Sequence, residues 1–363
     1  MTRVRSLRWT TAAPLLALAV LSLTWGDKPK TAMVIVVGVF LAAGVLAAVH
    51  HAEVVAHRVG EPFGSLVLAV AVTIIEVALI VTLMISGGKE TASLARDTVF
   101  AAAMITVNGI LGISLLVAAF RDRVATFNAE GTGAALATVA TLATLTLVLP
   151  RFTTGRPGPE FSGAQLAFAA IAALALYGLF VLMQTVRHRD YFLPADDDPA
   201  AADPEAHAPP PSNRSAGWSL GLLVVSLVAV VGLAKIESPA IEDGVAAAGA
   251  PQSAVGVVIA LLVLLPETLA AVRAARRGRV QTSLNLSLGS AMASIGLTIP
   301  AIAVASIWLD GPLVLGLGPT QMVLLAITVM VGILTVVPGR ATLQQAGVHL
   351  VLFAAFVFLA ISP

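Results

Sequence analysis

The sequence predicts an all-α polytopic membrane protein. Of its 363 residues, 58% are hydrophobic and 11% are charged, whereas a soluble domain averages about 45–50% apolar and about 25% charged residues. The apolar residues form continuous runs and not the alternating pattern of a β-barrel. This composition excludes an ordinary soluble protein and a nucleic-acid-binding protein. The absence of cysteine excludes disulfides, thiolate nucleophiles and Cys-ligated metals.

Eleven apolar segments approach or reach the length needed to cross a bilayer, which takes about 17–25 residues in a helix. The first segment is short and follows three arginines. Because no small-residue cleavage site follows Leu23 and Trp25, we interpret it as an uncleaved helix and not as a signal peptide. The predicted spans are residues 12–25, 31–49, 63–85, 98–119, 133–149, 164–185, 217–236, 252–272, 283–308, 320–337 and 343–361.

Lys and Arg residues divide unequally between the two sides of the predicted membrane. With the N-terminus in the cytoplasm, the inner segments hold 14 of these residues and the outer loops hold 7. The positive-inside rule therefore predicts a cytoplasmic N-terminus. The expected location is the inner (plasma) membrane of a bacterium, with multiple passes through the lipid bilayer.

A polar stretch divides the apolar segments into two groups. Residues 187–216 contain three consecutive aspartates and three consecutive prolines, a composition typical of a flexible linker. We predict an N-terminal helix over residues 1–30, a first transmembrane repeat over 31–186, this acidic cytoplasmic linker, and a second repeat over 217–363. Each repeat has five helices, an odd number, so the two would enter the membrane in opposite orientations, as in many secondary transporters.

Two carboxylates lie deep in apolar segments, one in each predicted repeat. Glu76 lies about 20 Å along its helix, where an ionised carboxylate costs at least about 2.5–3.5 kcal/mol. Glu267 follows Pro266, which is expected to kink the helix and to free backbone carbonyls that can bind a cation. Structural alternatives stay open: a protonated Glu76 held by one hydrogen bond, and an ion pair between Glu267 and one of the arginines that follow it.

Two buried glutamates can hold either protons or a cation. Burial favours the protonated acid, whereas a bound cation favours the carboxylate and releases protons. Two protons or one divalent ion neutralise the pair equally, which is the physical basis of proton/cation exchange. Oxygen ligands without a deep His or Cys indicate a hard cation such as Ca²⁺, Na⁺ or K⁺. No resident cofactor is predicted.

Neighbouring polar side chains are candidate auxiliary ligands, because Ca²⁺ takes about 6–8 oxygens. Ser287, Ser290 and Ser294 share one helix face, although such residues also line packed membrane helices in general. Asp97 is predicted to be a helix N-cap, and Glu61 a gate or proton relay at the inner mouth. The candidate auxiliary ligands are Thr73, Asn108, Asn285, Ser290 and Ser294.

Several short motifs occur together in the two halves of the chain. The first half contains Gly60-Glu61-Pro62-Phe63-Gly64, Thr73-Ile74-Ile75-Glu76 and Arg96-Asp97-Thr98. The second half contains Pro266-Glu267, Gln281, Asn285, Gly289-Ser290 and Thr298-Ile299-Pro300. In combination, over nearly the whole chain, they resemble those of the bacterial calcium/proton and sodium/proton antiporters of the calcium:cation exchanger superfamily.

The resemblance implies two inverted five-helix repeats, one extra N-terminal helix, and one Glu from each repeat at a shared proton and cation site. Position by position, those residues are Glu76 and Glu267. The superfamily often has Gly-Asn-x-x-Glu around each essential Glu, and this sequence lacks the Gly and Asn at both positions.

We therefore predict a secondary transporter that exchanges cytoplasmic Ca²⁺, with Na⁺ or K⁺ as alternatives, for external protons by alternating access. Its partners would be inorganic cations, protons and the lipid bilayer, and no nucleic acid. Two other classes stay open. A membrane-embedded, Mg²⁺-dependent enzyme such as a prenyltransferase would depend on Asp196-Asp197-Asp198, and a passive cation channel would need no protonatable pair.

Overall fold

The computed structural model describes residues 9–26, 31–60, 63–87, 91–193, 210–309 and 311–362. Glu61 and the Asp196-Asp197-Asp198 run lie outside these residues. The described chain is nearly all helical, which confirms the predicted fold class. Its helices are α1 (Trp9–Thr24), α2 (Thr31–Val59), α3 (Phe63–Gly87), α4 (Leu94–Met104), α5 (Leu111–Asp122), α6 (Ala129–Ala143), α7 (Gly163–Leu182), α8 (Asn213–Ala247), α9 (Ser253–Val263), α10 (Leu265–Arg276), α11 (Val280–Ala305), α12 (Pro319–Val336) and α13 (Leu343–Ile361).

Short irregular segments extend or connect some of these helices. A π-helical segment, Ile105–Ile110, joins α4 to α5, and two others follow α6 (Thr144–Val148) and α7 (Met183–Arg187). Two 3₁₀ helices cover Leu149–Arg151 and Arg189–Phe192. Strands β1 (Val124–Thr126) and β2 (Arg340–Thr342) pair antiparallel, with Val124 opposite Thr342.

Helices occupy all eleven segments that the sequence predicted. Within the described residues, nine continuous helical stretches are long and apolar enough to cross a membrane, and α9 with α10 makes a tenth candidate that bends by 52°. Helix α1 is apolar but has 16 residues. The ends differ most at α8, which was predicted to stop at residue 236 but continues to Ala247, because polar residues extend a helix beyond its apolar run.

The described chain packs into two compact units. Unit 1 comprises Met1–Ser86 with Pro209–Gly244, and unit 2 comprises Gly87–Ala208 with Val245–Pro363. Unit 1 therefore contains α1, α2, α3 and most of α8, and unit 2 contains the remaining elements. Each unit draws on both halves of the chain, so the repeat boundaries at 31–186 and 217–363 stay a prediction.

In unit 1, α2 and α8 run antiparallel along most of their lengths. At one end of the pair, Arg58 Nε donates a hydrogen bond to Asn213 Oδ1 over 2.6 Å. Further along, a Cβ added to Gly44 would lie 3.0 Å from Val230 Cγ2. At the other end, a Cβ added to Gly38 would lie 3.4 Å from Oε1 of Glu237. Residue numbers decrease along α2 as they increase along α8 through these three contacts, which defines the antiparallel register of the two helices.

In unit 2, α11 packs against α4, α5, α6, α7 and α10 and so lies at the centre. Close approach depends on glycines. A Cβ added to Gly256 of α9 would lie 2.8 Å from the backbone nitrogen of Thr98 in α4. Gly278 has a φ of +79° and ends the turn between α10 and α11. That turn makes these two helices an antiparallel hairpin.

Candidate functional site

Glu76 lies near the middle of α3, an unbroken helix in unit 1. It is 3% exposed, and Thr73, one turn earlier on the same face, is 8% exposed. Within Phe63–Gly87 no other residue is acidic or basic. The structure thus places an acid and a hydroxyl side by side within an apolar helix, as the sequence predicted for Glu76 and its candidate ligand.

Glu267 lies where α9 and α10 meet, in unit 2. Helix α9 ends at Val263, α10 begins at Leu265, and the axes differ by 52°. Pro266 has no N–H to donate to the carbonyl four residues earlier and clashes with a continuing helix, which explains the break. Glu267 falls in the first turn of α10, where the positive end of the helix dipole favours a carboxylate, and its side chain is half-buried.

The contacts of Ser283 show which part of α11 lies beside Glu267. The hydroxyl of Ser283 donates to the carbonyl of Ala271 in α10 over 2.7 Å and lies 2.7 Å from the hydroxyl of Ser114 in α5. Because α10 and α11 are antiparallel, one turn onward from this contact pairs Glu267 with Ser287. The acid and this serine therefore lie at one level of unit 2.

Ser287 in turn contacts the π-helical segment. Its hydroxyl donates to the carbonyl of Thr106 over 2.5 Å, and Thr106 and Asn108 both belong to Ile105–Ile110. The wide π turn breaks the regular ladder of backbone bonds and is frequently found at functional sites. The break before Glu267, Ser287 and the π turn thus come together in unit 2.

Four serines form one face of α11, which we call the serine face: Ser283, Ser287, Ser290 and Ser294. Its first two members contact α10, α5 and the π turn through the bonds above. Ser290 is half-buried and Ser294 is buried, and both continue this face toward the level of the α9–α10 break. Their candidate role as ligands is compatible with this placement.

Asn285 projects from a different face of α11. Its Nδ2 donates to the carbonyl of Phe192 over 2.7 Å, and its Oδ1 accepts from Nε2 of Gln281 over 2.9 Å. These bonds tie α11 to the 3₁₀ helix Arg189–Phe192. The structure therefore does not bring Asn285 together with the serine face or with Glu267.

Asn108 belongs to a buried polar network. Its Nδ2 donates to Oγ1 of Thr328 over 2.9 Å, and its Oδ1 lies 3.1 Å from Nδ1 of His349. Nε2 of His349 lies 3.1 Å from the hydroxyl of Thr335. Both ends of the Asn108 amide are therefore engaged by α12 and α13.

His349 corrects one expectation from the sequence. The sequence predicted no deep histidine, but His349 is fully buried, with 0% exposure. Its position in the middle of an apolar run could have indicated that it is buried. Its contact with Asn108 could not be read from a single sequence. The same is true of the contact between Thr328 and Asn108.

Asp97 is not the N-cap that the sequence predicted. Helix α4 starts earlier, after Ser93, so Asp97 lies in its first turn. The buried carboxylate pairs with Arg96 Nε at 2.8 Å and accepts hydrogen bonds from Ser93 Oγ and Gln321 Nε2. Arg96, Asp97 and Gln321 also line a cavity of about 240 Å³.

The described residues assemble no group of three or more His, Cys, Asp or Glu side chains able to hold a metal ion.

The fold and these features define a class. Many apolar helices that can span a membrane, one of them broken beside an acidic residue, are typical of a secondary transporter. The chain belongs to the sodium/calcium exchanger protein family, whose model matches residues 30–186 and 218–362.

Two relatives cover nearly the whole chain. The Sinorhizobium fredii (strain NBRC 101917 / NGR234) protein y4hA, which is named as an ionic transporter, is 44% identical over 98% of this chain and 96% of its own length. The sodium-potassium/proton antiporter ChaA of Escherichia coli (strain K12) is 34% identical over 94% of this chain and 93% of its own length.

Solved structures share the fold. That of native YfkE has a TM-score of 0.71 at 15% identity and covers 98% of this chain and 99% of its own. That of the H⁺/Ca²⁺ exchanger CAX has a TM-score of 0.71 at 15% identity and covers 96% of this chain and 86% of its own. The predicted family is therefore confirmed. The chain is a multi-pass membrane transporter of the cation-exchanger class and not an enzyme, so the prenyltransferase alternative is wrong.

Proposed function

We propose that the chain exchanges cytoplasmic Ca²⁺ for external protons by alternating access, with Na⁺ or K⁺ as alternative cations. Glu76 in unit 1 and Glu267 in unit 2 each hold a proton or contribute to cation binding. The observation that carries this proposal is the acid at the α9–α10 break, since it combines a charge with freed backbone groups. The orientation, with the N-terminus in the cytoplasm of a bacterial plasma membrane, follows from the Lys and Arg distribution.

The surroundings of Glu267 supply the kinds of oxygen that a hard cation prefers. The missing N–H of Pro266 leaves the carbonyl of Leu262 without its helical donor. The serine face adds hydroxyls of Ser290 and Ser294 on the same side of α11 as the contacts to α10. A carboxylate, carbonyls and hydroxyls are ligands that suit Ca²⁺ and other hard cations.

The chemistry of exchange follows from charge neutrality. With protons on both glutamates, the two acids are neutral and carry no cation. A divalent cation that takes the place of two protons also leaves no net charge, and its binding releases both protons. An empty, doubly ionised state is expensive in an apolar environment, so each cation that leaves is replaced by protons.

The relatives' names support two choices of cation. ChaA is named as a sodium-potassium/proton antiporter, and CAX, which shares the fold at lower identity, as an H⁺/Ca²⁺ exchanger. A direct comparison of Ca²⁺, Na⁺ and K⁺ on the purified protein is therefore required.

The test uses protein reconstituted in liposomes that contain a pH-sensitive dye. Each of the three cations is added to one side, and at least one should drive protons in the opposite direction. Glu76→Gln and Glu267→Gln should each abolish this movement, because a neutral amide can neither release a proton nor balance a cation.

Matched controls are Glu130→Gln in unit 2 and Asp243→Asn in unit 1, two exposed acids that should leave transport unchanged. Cation-driven proton movement that survives both glutamate changes would reject the assignment. Cation flux without any proton movement would favour a channel.

A further inference from the structure

Unit 1 contains a second buried acid, which is not among the sites predicted from the sequence. Glu237 lies in the part of α8 beyond the predicted span, and its side chain is 8% exposed. Together with Glu76 it is one of two acidic residues that are buried among the described residues of this unit. Nothing in the proposed exchange at Glu76 and Glu267 accounts for it.

The packing of α8 aims Glu237 into the unit. Val230 and Glu237 are two turns apart and share a face of α8, and both meet glycines of α2, Gly44 and Gly38. On another face, a Cβ added to Gly232 would lie 2.5 Å from the side chain of Leu21 in α1. Glu237 therefore faces the side of α2 that has no side chain at Gly38.

Glu237 has no polar partner in the part of unit 1 that the structure describes. Its Oε2 is buried and accepts no hydrogen bond there, and no ion pair involves either of its oxygens. An ionised carboxylate in such a place is costly, whereas a protonated one is neutral.

The charged groups of the packed elements do not change this conclusion. Helix α1 has no titratable residue, and the titratable side chains of α2 begin at His50, 12 residues from Gly38, or about 18 Å along the helix. Lys235 of α8 lies 5.6 Å from the ring centre of Trp25. The titratable groups in the described part of unit 1 are His50, His51, Glu53, His57, Arg58, Glu76, Arg214, Lys235, Glu237, Glu242 and Asp243.

We propose that Glu237 is a proton-binding carboxylate that holds a proton in the folded protein and relays protons at the end of unit 1 where α1 ends and α2 begins. Gly38 is the eighth residue of α2, so Glu237 lies about 10 Å from that helix end. A single carboxylate among apolar side chains lacks the further oxygens that a metal cation needs, but one proton neutralises it fully. The proposal rests on the proposed exchange of cations for protons.

The first measurement reads protonation without transport. Infrared spectra of the purified protein report the C=O stretching band of protonated carboxylic acids. Glu237→Gln should remove one such band at neutral pH, while Asp243→Asn, which changes an exposed acid of the same helix, should not. If the protonated-acid band is unchanged in Glu237→Gln, Glu237 is ionised and the proposal is overturned.

The second measurement is the pH profile of cation-driven proton movement in liposomes. Glu237→Gln should slow this movement about 100-fold. It should also flatten the dependence of the rate on the pH of the side on which α1 ends and α2 begins, and Glu237→Asp should restore much of both. A Glu237→Gln profile identical to that of the wild type at every pH would overturn the relay, because a purely structural acid tolerates this substitution.

Two further outcomes are decided in the same experiments. If Glu237→Gln does not yield folded protein, Glu237→Asp serves instead, and a protonated-acid band that does not shift in that variant overturns the proposal. If the wild type moves no protons with any cation, the exchange function fails and the relay with it, while the infrared band still decides whether Glu237 holds a proton.

Discussion

Helix α3 and the α9–α10 pair are two versions of one sequence pattern with different backbones. Each starts after a Gly-x-Pro and carries one deep glutamate. Yet α3 is continuous around Glu76, while the second bends by 52° directly before Glu267. The residue before the acid accounts for the difference, because it is Ile75 in one and Pro266 in the other.

An acid within an apolar segment is therefore supported in two different ways in this protein. Glu76 is enclosed by side chains and is 3% exposed. Glu267 is half-buried and lies at the N-terminus of a half-helix, where backbone dipoles stabilise its charge. Only the second arrangement therefore places the carboxylate against the dipoles of a helix N-terminus.

Substituting the residue before each acid tests the cause of this difference and should have the largest effect. Pro266→Ala restores an N–H donor to Leu262 and should straighten α9 into α10, moving Glu267 away from the serine face. A misplacement of about 1 Å at a reacting group can cost about 100-fold in rate. We therefore expect a loss of cation-driven proton movement of about this magnitude. Thermal stability should not fall, because alanine is the better helix former.

The reciprocal change, Ile75→Pro, should act on stability instead. Ile75 is 1% exposed within an unbroken helix, and an interior proline costs about 3 kcal/mol or more. Melting of the purified protein in detergent measures both variants. Unimpaired transport by Pro266→Ala would show that the break is not needed for exchange.

The buried network around His349 should govern stability more than transport. His349→Leu leaves Oδ1 of Asn108 and the hydroxyl of Thr335 without their bonds to the imidazole, and each unsatisfied buried group costs about 1–3 kcal/mol. We expect a clear drop in melting temperature, with the cation concentration for half-maximal transport nearly unchanged.

Ser226→Ala is the matched control, because its hydroxyl bonds only to a carbonyl of its own helix, Leu222. A large change in cation affinity in His349→Leu would instead place Asn108 in the binding of the cation.

Apolar composition, segment length and a proline inside an apolar run were enough to predict the helices, the burial of Glu76 and the kink at Pro266. These features depend on local chemistry, such as the missing N–H of a proline, and so can be predicted from the sequence. The roles of Glu76 and Glu267 as proton and cation sites stay predictions. The polar residues within helices were harder to place, since several faces of a buried helix contact other helices. Asn108 and Asn285 look equivalent in sequence, but one reaches α12 and α13 and the other Phe192.

Glu237 shows a different reason for a missed residue. The apolar run that defines the predicted span ends at residue 236, so the next acid lies outside that span. The helix continues to Ala247, and packing against Gly38 buries the side chain. Only the register of α2 on α8, which no local pattern contains, decides that this acid faces inward.

Asn285 and Ser290 give the finest test, since the sequence proposed both as ligands and the structure separates them. Asn285→Ala removes bonds to Phe192 and Gln281 and should cost about 1 kcal/mol of stability, with no change in the cation concentration for half-maximal transport. Ser290→Ala removes one hydroxyl from the serine face and should raise that concentration severalfold, with little change in melting temperature. If Asn285→Ala raised it more than Ser290→Ala does, the cation would lie on the Phe192 side of α11 and not beside Glu267.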